Sequence, residues 1–224
     1  MCGRFVRSSS AAAIAKAFGV PESDIPGSSY NIAPTQSVAA IVRSPDEGLQ
    51  LQSLRWGLIP SWAKDPAIGS KLINARAETI AEKPSFRSAF RQRRCLIVAD
   101  GFYEWQQVPS SRQKQPYFIG LQDEGLFAFA GLYEHWHSPE GEIANTCTII
   151  TTTANDLVAP IHDRMPVILS PQNYDLWLDN NSKIDRLQEL LAPYPAAAMQ
   201  VYPVSRSVNS PKNNSPECKQ PQVA

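Results

Sequence analysis

The stretch RCLIVADGFYEWQQV, residues 94–108, decides the fold class that this sequence predicts. Its first half is a continuous apolar run and its second half is rich in aromatic residues, as is typical of β-strands. More strand-like segments follow at short intervals, with turn sequences between them: QPYFIGL, LFAFAGLYEHW and NTCTIITTT. Strands in such close succession favour an antiparallel sheet.

Helices are predicted only at the margins of this strand-rich middle. A serine run at residues 8–10 caps the short helical segment AAAIAKAFG, which ends at Gly19. Residues 76–92 also look helical, with an interruption at Pro84, and so do PQNYDLWLD and SKIDRLQELL. The strand candidates outside the middle are SVAAIVR, AMQVYPVS and LQLQSLRW, the last with a slip near Ser53 typical of a bulge. The sequence therefore predicts one α+β domain, followed by a polar tail that we expect to be disordered.

Composition excludes several classes of protein. The chain has 224 residues, of which 43% are hydrophobic, and no run approaches the roughly 20 apolar residues of a membrane span. Lys and Arg together number 21, as do Asp and Glu, so only a local basic face could bind nucleic acid. The four cysteines are far apart without a CxxC pair, which argues against a metal cage or disulfide framework. No signal segment is evident, and we expect a cytoplasmic protein.

Cys2 stands directly after the initiator methionine, where processing can expose it. Removal of Met1 would leave an amine and a thiol with ordinary pKa values of about 7.7–8.0 and about 8.5, both partly nucleophilic near neutral pH. The amine can attack an aldehyde to give a Schiff base, and the thiol can then close a five-membered thiazolidine. The alternative is a retained Met1 and an inert thiol.

Asn74 and Glu104 are two further candidate site residues. Asn74, in LINARAET, is either the N-cap of a helix or a group that orients a reactant by a hydrogen bond. Glu104 shares a strand face with Phe102 and Gln106. A carboxylate on a buried face is either paired with an arginine or has a raised pKa, which suits a proton donor near neutral pH.

The histidines and arginines add further candidates. His162, in PIHDRMP, is either an acid–base group or a surface residue. His135 and His137 have a spacing that suits a metal, but no third ligand is evident, so we read them as surface residues and expect no metal site. Arginines cluster in FRSAFRQRR, and those inside other polar motifs are better candidates for phosphate contacts.

The motifs occur in a fixed order along the chain: Cys2-Gly3-Arg4-Phe5, Tyr30-Asn31-Ile32-Ala33-Pro34, Trp56-Gly57-Leu58-Ile59-Pro60, Ile73-Asn74-Ala75-Arg76-Ala77-Glu78, Gly101-Phe102-Tyr103-Glu104-Trp105, Ile161-His162-Asp163-Arg164-Met165-Pro166 and Pro203-Val204-Ser205-Arg206. Together they resemble the SRAP (SOS response-associated peptidase) family of abasic-site processing proteins. The resemblance implies a compact α+β domain with a curved, barrel-like, mainly antiparallel sheet flanked by short helices. It places that domain at residues 1–209, with Met1 removed on maturation, and the tail at 210–224.

The resemblance also implies a function in the DNA damage and SOS responses. Members bind single-stranded DNA at an abasic site, and their N-terminal cysteine forms a thiazolidine with the ring-opened aldehyde. The catalytic roles that it implies are nucleophile for Cys2, hydrogen-bond partner of the opened sugar for Asn74, proton transfer for Glu104, and acid and base for His162. The DNA contacts that it implies are Arg4, Asn31, Pro34, Trp62, Arg76 and Arg164. Some relatives carry a second aromatic after the loop tryptophan, where this chain has Ala63.

Three functions compete at this point. The first is a lyase-like protein that crosslinks itself to abasic single-stranded DNA. The second is a cysteine-dependent peptidase or autopeptidase, with Cys2 as nucleophile and His162 as base. The third is a DNA-binding module without a covalent step. We expect a monomer that needs no cofactor and has no membrane partner.

Overall fold

The computed structural model describes residues 2–44, 46–108, 113–138 and 140–222. Its strands are β1 (Phe5–Arg7), β2 (Ser29–Ile32), β3 (Ser37–Ser44), β4 (Gly48–Trp56), β5 (Asn74–Arg76), β6 (Arg94–Ala99), β7 (Gly101–Gln106), β8 (Gln115–Leu121), β9 (Phe127–His137), β10 (Ile143–Thr153), β11 (Arg164–Pro166), β12 (Ile168–Leu169) and β13 (Met199–Pro203). Its α-helices are α1 (Ala11–Phe18), α2 (Arg87–Gln92), α3 (Tyr174–Leu178) and α4 (Ile184–Glu189). Within the described ranges, no helix has the length and apolar character needed to cross a membrane.

The larger sheet closes into a barrel. Its strand order is β11-β10-β4-β3-β6-β9-β12, and β9 also pairs with β10, so that β10, β4, β3, β6 and β9 form a ring. Neighbours in the ring are antiparallel except β10 and β4, which run parallel. The structure thus confirms the predicted α+β class and its curved, mainly antiparallel sheet in a single compact domain.

Both faces of β6 are buried, which explains its continuous apolar run. Leu96 and Val98 belong to an apolar cluster that includes Phe90 of α2 and Trp177 of α3. The alternate residues of β6, from Cys95 to Ala99, belong to a second cluster that includes residues of the smaller sheet. Because successive side chains of a strand point to opposite faces, a strand covered on both sides needs apolar residues at every position.

The smaller sheet has the order β13-β8-β7-β1-β2 and packs over the second cluster. The chain passes from the barrel into this sheet at Gly101, between β6 and β7. A Cβ atom there would come within 3.0 Å of the carbonyl oxygen of Ile119 and would also strike the ring of Phe118. The absence of a side chain at residue 101 therefore allows β7 and β8 to pair closely.

Two local predictions need correction. Residues 76–92 do not form one interrupted helix: Asn74–Arg76 is a strand paired with β10, Ala77–Thr79 is a 3₁₀ turn, and only α2 is α-helical. Pro84 lacks the backbone donor that a continuous helix requires. The predicted bulge near Ser53 is also absent, because β3 and β4 pair in an unbroken register from Ser37 with Arg55 to Ser44 with Gly48.

The predicted limits of α1 are confirmed. The Ser10 side chain accepts a hydrogen bond from the backbone N–H of Ala13, and Gly19 ends the helix with a φ of 64°. This left-handed conformation is the usual helix stop and favours glycine.

The polar tail is folded onto the domain as far as it is described, to residue 222, which differs from the disorder that its composition predicts. The amide nitrogen of Asn31 donates to the carbonyl oxygens of Val208, Ser210 and Asn213, at 3.2, 3.0 and 2.7 Å. Cys218 is buried in a small apolar cluster with Tyr103. A polar segment can order in this way because its backbone carbonyls find a buried donor, which a residue-by-residue reading of composition does not reveal.

We expect Asn31→Ala to lower the free energy of unfolding by about 1–3 kcal/mol, because it leaves tail carbonyls without their buried donor. Chemical denaturation measures the change, and proteolysis should release the tail faster than in the wild type. Asn181→Ala is the control, since Asn181 is exposed and its one hydrogen-bond partner among the described residues is Asp179. It should change stability by less than about 0.5 kcal/mol. Equal stability of Asn31→Ala and wild type would contradict the role given to Asn31.

Candidate active site

Cys2 and Glu104 are brought together by the pairing of β1 with β7. Phe5 aligns with Phe102, and the backbone N–H of Tyr103 donates to the carbonyl oxygen of Arg4 at 2.9 Å. Because the two strands are antiparallel, the residues before Arg4 run alongside those after Tyr103. Cys2 is fully buried and Glu104 is 2% exposed, so the thiol and the carboxyl share an apolar environment.

The environment shifts the proton affinity of both groups. Burial raises the pKa of Glu104 to about 7. Burial, and then the charge of Glu104, raise the pKa of the Cys2 thiol far above its ordinary value. The carboxyl is therefore poised to take up or release a proton near neutral pH, whereas the thiol stays protonated.

His162 lies in the loop that precedes β11 and is half-buried. Burial lowers its pKa, as do the charges of the amino terminus and Lys114, whereas Asp163 raises it. Its Nδ1 accepts a hydrogen bond from the backbone N–H of Arg164 at 3.0 Å. Asp163 Oδ1 is also 3.0 Å from Nδ1, but its side chain is 86% exposed, so we take the backbone bond as the one that sets the tautomer. A neutral ring then carries its proton on Nε2.

Asn74 is the first residue of β5, not the N-cap of a helix, since the nearby 3₁₀ turn starts at Ala77. It aligns with Ile149 of β10, which lies in the same apolar cluster as Cys2. Its Nδ2 is 3.5 Å from the carbonyl oxygen of Ile149, and its Oδ1 is buried without a partner in the described structure. An unpartnered buried acceptor is costly in a folded protein, so Oδ1 is suited to a donor from a ligand.

Two of the candidate arginines are already held by other groups. Arg164 forms a bidentate ion pair with Glu78, with N–O distances of 2.6 and 3.0 Å, and donates to the carbonyl oxygen of Thr151 at 2.7 Å. Its hydrogen bonds lower the pKa of Glu78. Arg4 donates to Asn31 Oδ1 at 2.7 Å and lies 5.9 Å from the ring centroid of Trp105, within cation–π range.

The other candidate DNA contacts differ in exposure. Arg76 is exposed at the end of β5, and Trp62 is exposed over 58% of its surface. Pro34 is half-buried, whereas Asn31 is 1% exposed and its amide is occupied by the tail carbonyls. Asn31 therefore serves the site indirectly, by holding Arg4 and the tail, and the structure does not bring it to the surface.

Sequence reasoning missed several residues around the site. Glu78, the acid in the motif of Asn74, is the ion-pair partner of Arg164, and its position within that motif is the signal that was available. The positive charge of Lys114 lowers the pKa of both Glu104 and His162. His135 and His137 are exposed, as expected, and no group of three or more metal-ligating side chains occurs in the part of the chain described.

Comparison with known proteins assigns the family. The family model described as SOS response associated peptidase (SRAP) matches residues 1–211. The chain belongs to the SRAP family. It is 52% identical to the abasic site processing protein YoqW of Bacillus subtilis over 222 residues, which cover 97% of this chain and 98% of that protein. It is 35% identical to the abasic site processing protein HMCES of Rattus norvegicus, covering 75% of this chain and 56% of the rat protein.

The fold is similar to solved structures as well. A protein from Bacteroides thetaiotaomicron has a TM-score of 0.90 and 30% identity, with 99% of this chain and 100% of that chain covered. A protein from Bordetella bronchiseptica has a TM-score of 0.77 and 28% identity, with coverage of 91% and 100%. The SRAP membership that the motifs indicated is thus confirmed for nearly the whole chain.

The raised pKa of Glu104 makes stability depend on pH in a defined direction. Between the unfolded pKa of about 4.3 and the folded pKa of about 7, the folded state holds more protons than the unfolded chain, so the free energy of unfolding falls as pH rises. Glu104→Gln removes the titrating carboxyl and, with it, this fall in the free energy of unfolding. Its stability relative to wild type should rise by about 3–4 kcal/mol across that window, at about 1.4 kcal/mol per pKa unit, and then level off.

Denaturant unfolding at several pH values measures this difference. Glu189→Gln is the matched control, since the Glu189 side chain is 60% exposed and forms an ion pair with Arg186 at the surface. A difference between Glu104→Gln and wild type that stays constant from about pH 4 to about pH 8 would contradict the raised pKa.

Proposed function

We propose that this protein binds single-stranded DNA at abasic sites and crosslinks itself to them through a thiazolidine on Cys2. The observation that carries the proposal is the buried carboxyl of Glu104, with a pKa of about 7, beside the Cys2 thiol. Supporting it, the curated relatives YoqW and HMCES are named abasic site processing proteins. Because an open abasic site carries an aldehyde, it offers the electrophile that an N-terminal aminothiol captures.

The reaction begins after removal of Met1 has freed the α-amine of Cys2. The amine nitrogen attacks the aldehyde carbon, and the carbonyl oxygen takes up a proton to give a carbinolamine. A second proton transfer expels that oxygen as water and leaves a Schiff base. Glu104 and His162 are the groups that move these protons, since burial brings the pKa of the carboxyl to about 7.

The thiol completes the ring in the last step. Its sulfur bonds to the carbon of the Schiff base, and its proton passes to the nitrogen, which becomes a secondary amine. The sum is aminothiol plus aldehyde giving thiazolidine plus water, with no oxidation or reduction. Asn74 Oδ1, buried without a partner in the described residues, would accept a hydrogen bond from a hydroxyl of the opened sugar.

The arginines would hold the DNA around this centre. Arg4, Arg76 and Arg164 would contact flanking phosphates, Trp62 would stack on an unpaired base, and Pro34 would help to line the DNA groove. Arg164 must share its guanidinium between Glu78 and a phosphate, since both of its terminal nitrogens already bond to that carboxylate. Arg76 needs no such exchange, because it is exposed and no ion pair involves it among the described residues.

A cysteine peptidase fits this site less well, although the family carries that name. Peptidases of this kind need a thiolate, which forms in electropositive surroundings that lower the thiol pKa. Here burial and the Glu104 charge raise it. An amine that attacks first does not need the thiolate, so the direction of this shift favours aldehyde capture. Turnover of a peptide that is lost in Cys2→Ala would support the peptidase instead.

Variants at the N-terminus test the proposed chemistry. Cys2→Ala retains an α-amine after methionine removal but has no thiol, so it should form only a Schiff base that sodium borohydride traps. The heat-stable adduct with abasic single-stranded DNA should be lost. A chain with one residue added before Cys2 keeps the thiol but has an amide nitrogen, and should also form no thiazolidine. Denaturing gels measure both, and an undiminished heat-stable adduct in either variant would contradict the proposal.

Variants of the arginines test DNA binding separately from the chemistry. Arg76→Ala should lower the slope of log affinity against log salt by about 0.7, the value for one phosphate contact with a single strand. Arg186→Ala is the control, because its exposed guanidinium pairs with Glu189 within α4, and its slope should equal that of wild type. Fluorescence anisotropy with intact single-stranded DNA at several salt concentrations gives the slopes, and an unchanged slope in Arg76→Ala would remove it from the interface.

A further inference from the structure

A side chain of β7 links the strand of Glu104 to the loop of His162. Gln106 lies two residues after Glu104 and is half-buried. Its Nε2 donates to the carbonyl oxygen of Pro160 at 3.0 Å, two residues before His162. This is a contact between residues 54 positions apart in the chain, so it ties the loop to the sheet rather than to itself.

The orientation of the Gln106 amide is fixed by a second residue. Tyr117 of β8 donates its hydroxyl to Gln106 Oε1 at 3.1 Å. Since an amide has its acceptor and donors on opposite sides, accepting from Tyr117 turns Nε2 toward Pro160. Tyr117 is itself the cross-strand partner of Glu104.

We propose that Gln106 and Tyr117 are positioning residues, which hold the His162 loop at the distance from Glu104 that proton transfer requires. This inference rests on the proposed function for its consequence, but the contact itself is independent of it. Gln106 contacts neither the reacting atoms nor the DNA in the proposed reaction. It acts on the reaction through the backbone at Pro160.

The other hydrogen bonds of the loop show which parts of it are held without Gln106. Residues 154–163 contain no helix or strand. Asn155 holds the start of this loop, since its Oδ1 accepts from the backbone N–H of Val158 at 3.0 Å and its Nδ2 donates to the carbonyl oxygen of Tyr194 at 2.7 Å. The backbone N–H of Ala154 donates to the carbonyl oxygen of Asp163 at 3.0 Å, which closes the loop at its base. The backbone N–H of His162 donates to the carbonyl oxygen of Val158 at 3.0 Å. Asn155 and the backbone bond to Asp163 thus fix the two ends of the loop, and Gln106 is the side chain that holds its middle, at Pro160, to the smaller sheet.

The groups that act on the His162 ring set the direction of the expected change. Asp163 lies beside it and raises its pKa, whereas the positive charges of the amino terminus and of Lys114, which directly precedes β8, lower it. Burial is the main cause that lowers the pKa of His162. A loop released from Gln106 would admit water around the ring, so the pKa should rise toward its ordinary value.

The test uses Gln106→Met, which keeps the length of the side chain but removes both hydrogen bonds. The chain contains three histidines, so NMR can follow their ring protons against pH in the full-length protein, with His162→Gln assigning the resonance. We expect the His162 midpoint to move to higher pH. The rate of crosslink formation with abasic single-stranded DNA should fall by up to about 100-fold, as expected for a misplaced catalytic group, with the pH profile displaced in the same direction.

Gln115→Met is the matched control. Gln115 is the cross-strand partner of Gln106 and is equally half-buried, but its Nε2 donates to the carbonyl oxygens of Pro116 and Val204, away from the His162 loop. Its His162 titration and crosslinking rate should match wild type. If Gln106→Met does not fold, Tyr117→Phe gives the same test, because it removes only the hydroxyl that orients the amide.

The outcomes distinguish a failure of the positioning role from a failure of the proposed function. A His162 midpoint and pH profile in Gln106→Met or Tyr117→Phe that match wild type would overturn the positioning role. A displaced midpoint in these variants but not in Gln115→Met would support it. If wild-type protein forms no adduct, the proposed function fails, and the His162 titration still decides whether Gln106 positions the loop.

Discussion

The pairing of β1 with β7 is the constraint on which the site depends. β1 has only three residues, yet it is hydrogen-bonded on both sides, to β2 and to β7. Phe5 anchors it by edge contacts with Trp56 and Phe129, at centroid distances of 5.2 and 5.7 Å. This anchoring carries the residue at the start of the chain into a buried position beside Glu104, where a flexible terminus would otherwise lie in solvent.

Burial then shifts the pKa values of the groups in the site. The same apolar cluster that stabilises β1 raises the pKa of Glu104 to about 7 and keeps the Cys2 thiol protonated. A buried carboxyl of this kind costs stability at neutral pH, which is a common feature of functional sites. The tail is held to the small sheet by Asn31, which accepts a hydrogen bond from Arg4 and donates to the carbonyl oxygen of Asn213.

The sequence predicted the parts of this structure that depend on local patterns. The apolar run of β6, the caps of α1 and the motif residues Cys2, Glu104 and His162 follow from composition, turn chemistry and resemblance. Contacts between distant segments could not be predicted in this way, because no local pattern encodes them. Three contacts are of this kind: the pairing of β9 with β10 that closes the ring, the hydrogen bonds from Asn31 to the tail, and the hydrogen bond from Gln106 to Pro160.

The intact mass of the wild-type protein, measured before and after incubation with abasic single-stranded DNA, tests the central claim most directly. We expect the purified chain to lack Met1 and the adduct to weigh the sum of protein and oligonucleotide less one water. Borohydride should leave that mass unchanged, because a thiazolidine has no carbon–nitrogen double bond. An adduct on a chain that retains Met1, an adduct that gains two hydrogens on reduction, or no adduct at all would contradict it.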